Sequence, residues 1–174
     1  MPDQPARDQI LDAAEKRARA AGYHGFSFRD RAEGVGLKSS SGPSHFPTKG
    51  DLAEALARRY TNRAAERLGE PDSLAPGEGA ARVSALFRDA LLIDDRMCLC
   101  GLFGAERDAL PPPVGVAVAD FFRLILDYLD RAPKAARQSE TPAAMLARLE
   151  GALILARTLN DPNLFEAAIA APDT

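Results

Sequence analysis

Residues 22–52 read GYHGFSFRDRAEGVGLKSSSGPSHFPTKGDL, and their capping residues, glycines and prolines mark the ends of several predicted helices. Gly22 ends a preceding amphipathic run, and Ser27 with Asp30 three residues later forms a short-armed capping box for the next helix. That helix is brief, because two glycines follow it closely. Thr48 and Asp51 form a second cap pair behind a Phe-Pro dipeptide. The stretch therefore predicts two short helices placed between two longer ones.

A brief helix, a glycine-containing turn and a second short helix are the layout of a helix-turn-helix DNA-binding unit. A recognition helix presents small polar side chains to base edges, and the second segment supplies such residues: Ser39, Ser40, Ser41, Ser44 and His45. Lys38 and Lys49 flank them as candidate phosphate contacts, and so do backbone N–H groups at the helix starting near Thr48. Taken alone, a serine cluster beside Gly42-Pro43 is also typical of a loop.

The rest of the chain follows helical patterns as well. The first helix is predicted over about Ala6 to Ala21, and the helix after Pro47 carries apolar residues at four-residue steps. A polar break at residues 69–79 precedes further predicted helices, over 80–92, 98–110 and 111–131. Thr141-Pro142 and Asp161-Pro162 each combine a cap with a first-turn proline, and so open two more helices, of which the last is predicted to be short. We predict an all-α protein with about nine helices, because no hairpin or alternating pattern is found.

Charge is distributed unevenly over the 174 residues, whose formal net charge is −3. Residues 1–70 carry 12 basic and 10 acidic side chains, whereas residues 71–174 carry 10 and 15. A positive first part agrees weakly with a surface that faces nucleic acid. The sequence has no apolar run of the ~18 residues that a membrane-spanning helix needs. Its N-terminus lacks a signal-peptide pattern, so we expect a cytoplasmic protein with no membrane partner.

Motifs for catalysis, cofactors and metals are missing from the sequence. It has no Gly-x-Ser-x-Gly, no phosphate-binding loop and no dinucleotide fingerprint. His24 and His45 lack carboxylate or cysteine partners at metal-ligand spacing. Cys98 and Cys100 would lie on different sides of a helix, which favours two small buried residues over a metal or redox pair. We therefore expect neither an enzyme nor a bound cofactor or metal.

Several segments together resemble the TetR-type (TetR/AcrR) transcriptional regulators. The resemblance lies in the segments QILDAA at 9–14, GY at 22–23, SFRD at 27–30, VGLK at 35–38 and HFPTK at 45–49, followed by Asp51-Leu52. RMCLCG at 96–101 and LEGALILAR at 149–157 are similar to the C-terminal part of some members. The resemblance implies a helix-turn-helix DNA-binding domain over 1–48, and a ligand-binding and dimerisation domain over 49–174 with helix 49–69 as connector. It also adds Ser27 and Arg29 to the DNA-binding candidates.

The family resemblance implies a homodimer that binds a double-stranded DNA operator and responds to a small-molecule effector, most often as a repressor. In such proteins the last two long helices form a four-helix dimer seam. We therefore expect the helix after Thr141 to supply the dimer contacts, through Leu146, Leu149, Leu153 and Ala156. The alternative interpretation of this helix is an internal core helix. Apolar residues between the body helices are the ligand-binding candidates: Phe87, Leu91, Cys98, Leu102, Phe103, Phe122, Ile125 and Tyr128. Arg96, Glu106 and Arg107 are candidates to orient a polar ligand.

The predicted recognition helix departs from the family pattern. Gly42, Pro43 and Ser44 stand where members usually carry an aliphatic anchor followed by aromatic or histidine side chains. Relative to Ala, an interior Gly costs about 1 kcal/mol and an interior Pro about 3 kcal/mol of helix stability. Arg31 also replaces a usual aliphatic core residue in the preceding helix. These departures predict a shortened recognition helix, and they leave open an alternative: a ligand- or partner-binding protein of this fold that has lost sequence-specific DNA binding.

Overall fold

The structure is a computed structural model that describes residues 4–26, 45–136 and 139–170. Within these residues it contains seven α-helices and no strand, which confirms the all-α prediction. The helices are α1 (Gln4–Gly25), α2 (Lys49–Leu68), α3 (Glu78–Leu92), α4 (Leu99–Ala105), α5 (Pro112–Arg131), α6 (Pro142–Thr158) and α7 (Asn163–Ile169). A 3-10 turn, Arg107–Ala109, follows α4. None of the described helices is long and apolar enough to cross a membrane.

Helix α1 buries one stripe and breaks at Gly22. Ile10, Ala14 and Ala18 lie on this stripe and are buried, as an amphipathic pattern requires. Gly22 has φ 72° and ψ −172°, which interrupts the regular helix at the predicted stop although helical turns continue to Gly25. A side chain at this position would be strained, because φ in this range favours glycine.

The segment predicted to read DNA lies outside the described residues. This covers the cap at Ser27, the recognition helix around Gly42-Pro43 and seven DNA-binding candidates: Ser27, Arg29, Lys38, Ser39, Ser40, Ser41 and Ser44. The two short helices predicted there account for the difference between about nine predicted helices and the seven described. Their existence and their contacts stay predictions.

Helix α2 begins directly after the predicted cap at Thr48, and the backbone carbonyl of its last residue accepts two side-chain hydrogen bonds. Leu52, Leu56 and Leu68 are buried along its length. At its C-terminal end the hydroxyl of Tyr128 donates to the carbonyl oxygen of Leu68 at 3.0 Å, and Nη1 of Arg82 donates to the same oxygen at 2.7 Å. These bonds satisfy a carbonyl that the helix itself leaves unpaired.

One helix is shorter than the sequence pattern predicts. The apolar pattern over 98–110 indicated one helix, but α4 ends at Ala105 and a 3-10 turn follows it. Glu106 departs from helical geometry with φ −100° and ψ 22°. Leu110 is extended, with ψ 140°, because the ring of the following Pro111 disfavours a helical residue before it. Glu106 therefore lies between α4 and the 3-10 turn, where its side chain contacts the end of α1.

The last two helices differ in length. Thr141 caps α6 as predicted, since its Oγ1 accepts the N–H of Ala144 at 3.2 Å. Helix α7 has only seven residues, so the two long final helices that the resemblance implied are one long helix and one short one. The two helices pack on each other, with Phe165 of α7 fully buried.

The chain divides into two compact units. The first comprises the described residues up to Thr61 together with Leu99–Phe121, and the second comprises Asn62–Cys98 and the described residues from Phe122 onward. The division therefore places α4 with α1. The predicted functional boundary at residue 48 concerns DNA binding rather than packing, and it stays a prediction.

Candidate nucleic-acid interface

Three of the ten DNA-binding candidates lie in the described residues: His45, Thr48 and Lys49. His45 is partly buried, and the neighbouring Phe46 is buried in the core of the first unit. The guanidinium carbon of Arg7, on α1, lies 5.2 Å from the centre of the Phe46 ring. Phe46 therefore anchors the entry to α2 against α1, and this fixes the end of the predicted reading segment.

Thr48 and Asp51 form a reciprocal capping box at the start of α2. The Thr48 N–H and hydroxyl both donate to Oδ2 of Asp51 at 2.8 Å, and the Asp51 N–H donates to Thr48 Oγ1 at 3.1 Å. The carboxylate of Asp51 thus occupies part of the position that we predicted for a DNA phosphate at this helix start. A phosphate at this helix start would have to lie beside that negative charge, which disfavours it.

Lys49 faces aromatic rings in this structure. Its Nζ lies 4.4 Å from the centre of the Tyr23 ring and 5.0 Å from that of Phe26. Both distances are within the range of a cation–π interaction. A phosphate contact by Lys49 would compete with this interaction, so Lys49 has a structural partner in addition to its predicted role.

An aromatic cluster joins the end of α1 to α4. Phe103 of α4 is fully buried, lies nearly parallel to Phe26 at 6.1 Å and meets Tyr23 edge-on at 5.8 Å between ring centres. Tyr23 and Phe26 also meet edge-on at 5.9 Å. These are favourable geometries for aromatic pairs. The cluster therefore holds the backbone directly before the predicted reading segment against α4.

The Glu106 carboxylate also binds the end of α1. Glu106 accepts the N–H of Tyr23 through Oε1 at 2.7 Å and the N–H of His24 through Oε2 at 3.1 Å. His24 Nε2 also lies 3.7 Å from Oε2. The positive φ of Gly22 favours glycine, and a Cβ there would come within 2.0 Å of Oε1, so any other residue would also displace the Glu106 carboxylate. We call the arrangement of Glu106, Gly22, Tyr23 and His24 the Glu106 clasp.

Removing the Glu106 carboxylate is expected to lower stability. Glu106→Ala leaves the two N–H groups without their acceptor, and we expect a loss of about 1–2 kcal/mol in the free energy of unfolding, since Glu106 is partly exposed. Urea unfolding measures the change. Asp108→Ala, at an exposed position in the following 3-10 turn, is the matched control and should change little. Equal effects of the two substitutions would contradict a specific clasp.

The ligand-binding candidates fall in different places. Phe103 belongs to the aromatic cluster, and the hydroxyl of Tyr128 is bonded to the end of α2. Phe87, Leu91, Cys98 and Ile125 are buried, whereas Leu102 and Phe122 are partly exposed. Leu102 and Phe103 lie in the first compact unit and the other six in the second. The eight residues are therefore divided between the two units, and their role in ligand binding stays a prediction.

Two of the three residues proposed to orient a polar ligand have contacts within the chain. Glu106 forms the clasp, and Nη1 of Arg96 donates to the carbonyl oxygen of Asp95 at 2.7 Å. The hydrogen bonds of Glu106 to the end of α1 are contacts that the sequence did not indicate. Its partners are 82 and 83 positions away, so no local pattern could reveal the contact.

The predicted dimer residues need correction. Leu146, Leu149, Leu153 and Ala156 are all buried within this chain, so they form its own core and cannot contact a second copy in this conformation. The opposite side of α6 is exposed and carries no charge: Ala143, Ala144, Ala147, Ile154, Leu155 and Thr158. Ile154 is 52% exposed and Leu155 53%. Gly151 lies on the same side, and a Cβ added to it would meet open space. We call this side the outer face of α6.

Comparison with solved structures gives close overall matches. A TetR-family transcriptional regulator from Agrobacterium tumefaciens has a TM-score of 0.83 and 26% identity, covering 95% of this chain and 94% of that one. A TetR transcriptional regulator from Legionella pneumophila has a TM-score of 0.76 and 26% identity, covering 92% and 91%. The transcriptional regulator FadR from Bacillus subtilis, solved with stearoyl-CoA, has a TM-score of 0.65 at 16% identity over 94% and 97%, which shows the fold alone.

No family model matches the sequence, and no curated protein sequence does. The assignment therefore depends on the structure and on the residues quoted above. The order of the described helices, the match along nearly the whole of both chains and the 26% identity to two named regulators agree with each other. By these criteria the chain has the fold of the TetR-type transcriptional regulators and is similar to them in sequence.

Proposed function

We propose that this chain is a TetR-type transcriptional repressor, homodimeric and located in the cytoplasm, that binds a pseudo-palindromic operator and releases it when an effector binds. The observation that carries the proposal is the match to two TetR-type regulators over at least nine-tenths of each chain. In a dimer the predicted helix-turn-helix unit of each copy, called its reading head below, docks in a major groove. The two half-sites of the operator then lie about one DNA turn, or a multiple of it, apart. The chain acts by binding, not by catalysis.

The proposed DNA contacts are those predicted from the sequence. Of these, Ser39, Ser40, Ser41, Ser44 and His45 read base edges and Lys38 contacts a phosphate, whereas the Asp51 carboxylate disfavours the predicted phosphate contact at the Thr48 cap. The Glu106 clasp and the aromatic cluster support this proposal, because they hold the backbone directly before residue 27 against α4. A rigid support is what a reading head needs to dock in register.

An effector in the C-terminal body would act by changing the spacing of the two heads. It can release the operator only to the extent that it binds one spacing more tightly than the other. The fold is compatible with a small-molecule ligand, as the stearoyl-CoA complex of the Bacillus subtilis regulator illustrates for that protein. We place the effector-binding residues among those buried in the second unit, such as Phe87, Leu91 and Ile125.

Selection from random duplexes tests DNA reading. The natural chain would be run beside a variant with Gly42→Val, Pro43→His and Ser44→Tyr, which restores the usual residue types of the recognition helix. We expect the natural chain to enrich a palindrome. A palindrome enriched by the variant alone would contradict the proposal. It would favour the second candidate function, a ligand- or partner-binding protein that has lost operator binding through Gly42-Pro43.

The outer face of α6 is proposed as the dimer contact. An exposed, uncharged stripe with an open space beside Gly151 suits close approach of the same helix from a second copy. Since α7 is short, α6 would supply most of the contact.

A charge on this outer face is expected to prevent dimerisation. Ile154→Asp would bury an unpaired carboxylate between the two copies, and we expect at least ~100-fold weaker dimerisation by analytical ultracentrifugation. Asp127→Ala, at an exposed position of α5, is the control and should leave the dimer intact. A natural chain that is monomeric at all concentrations, or an Ile154→Asp variant that still dimerises, would show that this face is not the interface.

A further inference from the structure

Helix α6 carries a carboxyl group that the rest of the described structure leaves partly unpaired. Oε1 of Glu150 is sealed from solvent and has no hydrogen-bond partner among the described residues. Burial raises the pKa of this carboxyl from 4.5 to about 7. A buried acceptor without a donor is unfavourable, and most buried polar groups in folded proteins are paired. Oε1 therefore has the capacity to accept a donor from a molecule that is not part of the chain.

The surroundings of Glu150 contain a thiol and apolar side chains. The Cys98 side chain hydrogen-bonds the carboxyl and is itself buried. Leu146 and Leu153, one turn away on α6, are buried beside it. A thiol is a weak donor and brings no positive charge, so it satisfies the carboxyl only in part.

The arginines of α6 are engaged elsewhere. Arg148 donates to both carboxylate oxygens of Glu140, through Nε at 2.8 Å and Nη2 at 2.5 Å. Arg157 forms an ion pair with Asp95. The structure therefore pairs each arginine of the helix with a different acid and leaves Glu150 without a cation within the described residues.

We propose that Glu150 is the anchor for a protonated amine on the effector, whose remainder is apolar. An ammonium N–H would donate to Oε1, and the positive charge would pair with the carboxylate in a site of low polarity. An anionic effector group would be repelled there, and a neutral hydroxyl would form the weaker, uncharged bond. This proposal rests on the ligand-responsive function proposed above and names the chemical class of its ligand.

Titration calorimetry with matched small probes tests the assignment without DNA. The probes are the n-alkylamines from butylamine to decylamine, each beside the n-alkanol of the same length. For the natural chain we expect at least one amine to bind about tenfold or more tightly than its alkanol. Glu150→Gln, which keeps the shape of the side chain, should abolish this preference. Asp127→Asn removes one exposed carboxylate of α5 and should keep it, which controls for attraction to an acidic protein.

The outcomes separate this inference from the proposed function. No preference for any amine, or a preference that survives in Glu150→Gln, overturns the role of Glu150 while leaving operator binding to its own test. Loss of the preference in Asp127→Asn as well as in Glu150→Gln would mark a general charge effect and also overturns it. Circular dichroism of Glu150→Gln checks that the variant folds. If it does not fold, a pH series on the natural chain supplies the second test: the amine preference should grow as the pH rises through about 7, where Glu150 ionises, and a preference that does not change with pH would overturn the proposal.

Discussion

Phe103→Ala is expected to lower the free energy of unfolding by about 3–5 kcal/mol, the usual range for a fully buried phenylalanine. Phe103 is 0% exposed and contacts both Phe26 and Tyr23. Its removal leaves a cavity between α1 and α4, and it deprives the backbone before residue 27 of its support. Urea unfolding followed by circular dichroism measures the loss.

The same substitution is expected to weaken DNA binding more than its stability cost alone explains. Phe165→Ala is the matched control, because Phe165 is equally buried but lies on α7 in the other compact unit. Under conditions in which both variants stay folded, Phe103→Ala should bind the selected duplex about tenfold or more weakly than Phe165→Ala. Equal affinities would show that the aromatic cluster is part of the core but does not position the reading head.

Glu150→Gln is expected to stabilise the chain in a strongly pH-dependent way. The pKa of Glu150 is about 7 in the folded chain and near 4.5 when unfolded. Between these values the folded state holds a proton that the unfolded state has lost, so the stability of the natural chain falls as the pH rises through this window. Glutamine stays neutral throughout. The variant should therefore gain about 3 kcal/mol relative to the natural chain between about pH 4.5 and about pH 8.

Glu140→Gln is the control for this measurement, because the pKa of Glu140 is shifted in the opposite direction. A side-chain hydrogen bond from Arg148 lowers the pKa of Glu140, so its ionised form stabilises the fold above its unfolded pKa and that contribution is lost as the pH falls. Replacing it should destabilise the chain at neutral pH and have little effect in acid. A difference between Glu150→Gln and the natural chain that does not vary with pH would show that Glu150 is not desolvated in the folded state.

Local signals predicted the parts of the fold that depend on neighbouring residues. Gly22 interrupts α1, Thr48 pairs with Asp51, and Thr141 caps α6 because each of these features involves groups within a few positions of each other. The Glu106 clasp and the partly unpaired carboxyl of Glu150 depend on residues far apart in sequence, whose distances only the tertiary fold determines. No periodicity or spacing in one sequence carries that information.

The dimer face shows why a correct pattern can still be assigned to the wrong side of a helix. Helix α6 is apolar around most of its circumference, so Leu149 and Leu153 on one side and Ile154 and Leu155 on the other have similar sequence signals. Only burial against α3 and α7 distinguishes them, and it assigns the leucines at 149 and 153 to the core. The reading segment itself, residues 27–44, lies outside the described residues, so its contacts are still those predicted from its residue types.

Fluorescence anisotropy of the selected duplex across a salt series shows whether this chain binds operator DNA. Each phosphate contact contributes about 0.9 to the slope of log affinity against log salt concentration. A dimer with several contacts per head should bind in the nanomolar range at low salt, and its affinity should fall with a slope of about −4 or steeper. A natural chain that binds no duplex tightly at any salt concentration would contradict the claim and show that this fold has been kept without operator binding.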